Sequence, residues 1–161
     1  MKLIWVALLP MIFSTASAQM VDGEITHQYG PLIDSLITFI GQKPYAIQRN
    51  VGMLRDGTAE PTTKGWVITL SMNTQRGRFA VLHEFGHYFN AVRGDVFYAY
   101  LDSLNLNKKF DRTPGPIWER FADDFAWAWI EHQNGWNESM RPGADLLRRL
   151  LWPCKTEAHN D

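Results

Sequence analysis

Apolar positions recur along this chain in two periods, and the change from one to the other outlines the fold. From about Glu24 to Gly41, the residues Ile25, Leu32, Ile33, Leu36, Ile37 and Ile40 keep the three-and-four spacing of one helical face. Gly30-Pro31 delays the start of that helix in this reading, because proline lacks the N–H that a helix interior uses. Tyr45 to Val51 reads as a short strand, Arg55-Asp56-Gly57-Thr58 as a turn, and Pro61 to Lys64 as a loop. Trp66-Val67-Ile68-Thr69-Leu70 is β-branched and aromatic, which predicts a strand.

Helical spacing then takes over. Asn73-Thr74-Gln75-Arg76-Gly77 is a break, with Thr74 the candidate cap of a helix from about Arg76 to Val92. Val96, Tyr100 and Leu104 place a further helix over Asp95 to Leu104. Asn105 to Pro116 is a polar loop. A long helix from about Ile117 to Gln133 ends at Gly135, and Pro142 opens a last helix through Leu151. A helix, two or more strands and then several helices predict an α+β domain, not an alternating βαβ one.

The N-terminus changes this picture. Lys2 precedes an eleven-residue apolar run, Leu3 to Phe13, broken only by Pro10, and Ala16-Ser17-Ala18 fits the small-x-small cleavage rule. The expectation is a signal peptide over residues 1–18, leaving 19–161 as one domain in the periplasm or secreted. The run falls short of the ~20 residues of a membrane span; the alternative is an uncleaved N-terminal anchor. No later stretch approaches that length, so no stable membrane span is expected after cleavage. Lys plus Arg number 16 and Asp plus Glu 17, a net charge of -1. That balance argues against general nucleic-acid or membrane-surface binding, both of which need a basic patch. Cys154 is the one cysteine, so no internal disulfide forms. It reads as an idle thiol, with pairing between chains as the alternative.

The candidate chemistry lies in His83-Glu84-Phe85-Gly86-His87. Two imidazoles at i and i+4 project from one helical face and can share one Zn2+ ion. Glu84 is placed to take a proton from a zinc-bound water during attack on a carbonyl and to pass it to the leaving amine. Phe85 is expected in the core, and Gly86, costly inside a helix, points to a close packing contact. The bland alternative is two surface histidines with a charged neighbour.

A catalytic zinc commonly takes a third protein ligand. The extended motif with a third histidine six residues on is excluded, since Arg93 stands there and Asn90 replaces the expected glycine. The better candidate is Glu119 in the long helix, with Asp123 one turn later as acceptor for the N–H of a liganding imidazole, His83 above all. Asp124, one step further round, is expected to point away and be solvated. The competing reading of Glu119 and Asp123 is an ordinary acidic helix face. Phe121, Phe125, Trp129 and Ile130 on the same helix, however, demand a core.

The pairing of His83-Glu84-x-x-His87 with Glu119-x-x-x-Asp123 resembles the gluzincins. Glu119-x-x-Ala122-Asp123-x-Phe125-Ala126 is similar, more narrowly, to the second motif of ImmA/IrrE-type zinc peptidases. The resemblance covers roughly Trp66 to Ile130. It implies a compact zincin-like domain with a small sheet on helices, a zinc between the two motif helices, and Glu84 as general base. That family is mostly cytoplasmic, whereas export is expected of this chain, so its regulatory substrates do not transfer. The resemblance also implies that a strand beside the motif helix pairs with extended substrate; Trp66 to Ser71 is the candidate, through Trp66, Ile68 and Leu70, with a plain sheet strand as the alternative.

An oxyanion donor is open among Tyr98, Tyr100 and His132, although His132 also suits a helix end. His27 and His159 carry no assigned role. Trp127, Trp129, Trp136 and Trp152 read as core and interface aromatics, with a carbohydrate platform as the alternative. The leading function is zinc-dependent hydrolysis of a protein or peptide substrate, the peptide part of a cell wall included. The alternative is a non-catalytic zinc-binding interaction protein.

Overall fold

Strand and helix formers meet around two central helices in the computed structural model, which describes residues 20–50, 56–71, 77–106, 114–135 and 141–153. Helix α1 spans Gly23–Ile40. It starts earlier than the proline suggests because Asp22 caps it, accepting from the N–H groups of Glu24 and Ile25 at 2.9 and 3.4 Å. Pro31 lies inside the helix on its solvent side, while Ile25, Ile33, Leu36 and Ile40 face the core.

The sheet has the order β1-β2-β4-β3, built from Met20–Val21, Ala46–Arg49, Gly65–Leu70 and Gly57–Thr62 respectively. β1, β2 and β4 run parallel, and β3 returns antiparallel beside β4. β3 corrects the expectation of a turn over 55–58 and a loop over 61–64. Its sequence, Gly-Thr-Ala-Glu-Pro-Thr, is poor in strand formers, and pairing with β4 imposes the conformation. Pro61 is tolerated because β3 is an edge strand.

Four helices follow the sheet: α2 (Gly77–Val92), α3 (Gly94–Ser103), α4 (Pro114–Gln133) and α5 (Pro142–Leu151). The expected loop to Pro116 is therefore too long, for Pro114 and Pro116 sit in the first turn of α4, where a missing N–H costs nothing. Helix α2 runs through the centre, burying Val81, Leu82, Phe85, Tyr88 and Phe89. Phe89 stacks on Phe125 of α4 at 5.0 Å between ring centroids, and Phe121 meets Phe97 and Tyr100 of α3 edge-on at 5.1 Å. Trp129 packs on Phe39 and Trp152, as core aromatics do. Gly86 is where α2 and α4 touch: a Cβ there would lie 2.9 Å from the Ala122 Cα. The α+β expectation of a small sheet packed on helices holds. Residues 1–18, Thr74, Trp136, Cys154 and His159 lie outside the described residues. Among those described, no helix is long and apolar enough to cross a membrane.

Candidate metal centre

His83 and His87 stand one turn apart on α2, and their ring centroids are 4.8 Å from each other. The close seat of Gly86 on Ala122 brings α4 near enough for Glu119 to join them. The two Nε2 atoms are 3.1 Å apart, and Glu119 places Oε2 3.3 Å from one and Oε1 3.5 Å from the other. Donors held tetrahedrally at about 2.1 Å from one ion stand about 3.4 Å apart. The three side chains thus form a group that could hold a metal ion, with one donor atom from each within 4.8 Å of the others.

The proton on His83 is fixed from behind. Its Nδ1 lies 2.9 Å from Asp123 Oδ1, and a carboxylate there draws the ring N–H to Nδ1. Nε2 then carries its lone pair toward His87 and Glu119. Burial, and then the neighbouring His83, hold the His87 imidazole below its ordinary pKa, which favours the neutral form a metal requires.

Glu84 lies on the sheet side of the same cleft and is 4% exposed. Burial pushes its carboxyl up to about 8, aided by the negative charges of Glu119, Asp56 and Glu60. The carboxyl sits against Gly57 of β3, where a Cβ would fall 2.6 Å from Glu84 Cγ and 2.8 Å from Oε1. The cleft holds about 410 Å³. Glu119 stands at its mouth, open to solvent.

β4 does not fit the role of substrate strand, since β2 occupies one edge and β3 the other. Ile68 and Leu70 are buried in the core, and Trp66 packs on Tyr88. Among the described residues, the sheet edge beside the cleft belongs to β3, with β1 at the other edge. Trp66 and Leu70 accept from Tyr45 and Asn50 at 2.7 and 3.0 Å on the β2 side, whereas Ser71 donates to Asp56 at 2.9 Å on the β3 side. Backbone groups alternate along a strand, so Gly57, Ala59 and Pro61, opposite Leu70, Ile68 and Trp66, turn theirs to the open edge. That edge borders the cleft.

Of the proposed oxyanion donors, Tyr100 is committed elsewhere: its hydroxyl donates to Asp124 Oδ2 at 2.7 Å in the core. His132 stacks on Trp152 at 4.1 Å, away from the cleft-lining residues, as a helix-end residue. Tyr98 lies beside His87 on an adjoining groove. Asp124 corrects the expectation of a solvated side chain, being 5% exposed and closed in by Gly143 of α5. Gly57 was readable only as a turn glycine, since its contact with Glu84 depends on a pairing that local sequence does not encode. His27 is exposed on α1.

Compared with known proteins, the chain matches no family model, no curated protein and no solved structure.

Proposed function

We propose that the chain is a zinc-dependent peptidase of the gluzincin kind, acting outside the cytoplasm on a protein or on the peptide part of a cell wall. The observation that carries this reading is Glu84, a buried carboxyl that lines the same cleft as a two-imidazole, one-carboxylate donor set. Holding a metal needs no such neighbour; moving a proton does. The donor set matches the His₂Glu composition of catalytic zinc sites. When bound, zinc supplies a Lewis acid and acidifies water. His83, His87 and Glu119 hold it, and Asp123 keeps His83 in the ligating tautomer. Glu84 accepts a proton at its carboxylate and returns it to the leaving amine. The open edge of β3 orients an extended substrate by backbone hydrogen bonds. Export rests on Lys2, the Leu3–Phe13 run and Ala16-Ser17-Ala18.

The test combines zinc stoichiometry with hydrolysis of an unfolded protein substrate. Glu84→Gln is expected to bind one zinc per chain, as the wild type does, and to lose about 10²–10⁴-fold in rate. Hydrolysis untouched by that change rules the mechanism out. Absence of hydrolysis in a wild type that holds its zinc favours the interaction-protein alternative.

A further inference from the structure

The metal cleft continues past His87 into a groove of about 570 Å³ lined by Pro61, Trp66, Phe97, Tyr98 and Trp118. The two spaces share Ala59, His87 and Trp118, so they form one depression. Its character changes along its length. Asp56, Glu60, Glu84, Glu119 and Asp123 line the metal end, whereas among the described residues no Asp, Glu, Lys or Arg lines the groove. Tyr98 at 58% and Trp118 at 43% are the most exposed large apolar side chains among the described residues. Apolar surface left open beside a polar cleft marks a place that something covers.

Strand geometry says what reaches it. A peptide added to the open edge of β3 sets its side chains on the same face as those directly opposite. On that face β3 carries only Gly57, Ala59 and Pro61, a floor low enough to leave the space above it free. The peptide residue opposite Ala59 sits where cleft and groove join, and the residue two further, opposite Pro61, enters the groove.

We propose that this groove is a specificity site for a large apolar side chain, aromatic above all, of a peptide lying along β3. The proposal rests on the peptidase reading above and narrows its substrate class. Trp66 and Tyr98 bring aromatic surface to the groove, Trp118 lines its border with the cleft, and among the described residues no Asp, Glu, Lys or Arg there matches an ionic side chain.

Acetylated, amidated heptapeptides of Gly, Ala and Ser, carrying one central Phe, Leu, Lys or Glu, test it. Calorimetry measures their binding to zinc-loaded Glu84→Gln, and mass spectrometry maps their cleavage by the wild type. The Phe peptide is expected to bind about tenfold more tightly than the Lys or Glu peptide, and to be cut at a fixed offset from Phe. Tyr98→Ala combined with Trp118→Ala is expected to reduce that preference to within about twofold, while Tyr98→Phe retains it. Thermal melts confirm that the variants fold. Cleavage without side-chain preference, or a preference that survives the double substitution, overturns the groove and leaves the peptidase reading standing. A Phe preference in binding with no cleavage overturns the peptidase reading and keeps the groove. Neither binding nor cleavage overturns both.

Discussion

Asp123 turns its carboxylate to His83 Nδ1 at 2.9 Å, whereas Asp124, about 100° further round the same helix, accepts from the buried Tyr100 hydroxyl at 2.7 Å. The first orients a candidate metal ligand; the second ties α4 to α3 under the cover of Gly143. Burial raises the Asp124 carboxyl above its ordinary 3.8, outweighing the Tyr100 hydrogen bond and the charges of Arg120 and Arg141, which pull it down; nearby Asp123 adds to the rise. The native state therefore binds this proton more tightly than the unfolded chain does. The resulting stability is fully present below about pH 3.8 and is lost as pH rises through the folded value. Asp124→Asn keeps an oxygen for Tyr100 and removes the titration. Urea midpoints of the variant are expected to gain on the wild type as pH rises above about 4. Parallel midpoints across that range contradict the assignment.

Elements whose own residues encode them were legible in the sequence; those held by partners were not. Helices α1 and α3 follow from apolar spacing, α5 from the proline in its first turn, and β4 from its β-branched run. β3 is legible only through its register with β4, and β1 is two residues long in a parallel pair. The donor set was readable because both motifs lie on helices, where i and i+4 fix a shared face. The open edge at β3 was not, since strand order is non-local. Gly86 shows how the two helices depend on each other. A Cβ at that position meets Ala122 backbone at 2.9 and 3.1 Å, which no rotamer relieves. Gly86→Val is expected to cost about 1–3 kcal/mol in folding free energy. It should weaken metal binding by at least about tenfold, because donors on two helices lose their common centre. Metal affinity equal to the wild type's in a folded variant would show that the contact does not set the site.

At the scale of the whole molecule, a nearly neutral chain gathers carboxylates into one cleft and leaves apolar rings beside it. Glu84 illustrates the consequence, because burial and like charge both oppose its ionisation. His83, His87 and Glu119 could hold a cation, which would offset that opposition and link α2 to α4. The unfolded chain has no such preformed set, so metal binding stabilises the native state by RT ln(1 + [L]/Kd). A hundredfold excess of zinc over Kd corresponds to about 2.7 kcal/mol, or roughly 5–15 °C in Tm for a domain of this size. Calorimetric scans at rising zinc concentration are expected to show Tm climbing with the logarithm of free metal. Glu119→Ala should need far more zinc for the same rise, while His27→Ala, an exposed imidazole on α1, should follow the wild type. A Tm independent of zinc, or a rise that Glu119→Ala leaves unchanged, would remove Glu119 from the ligand set and the bridge between the two helices with it.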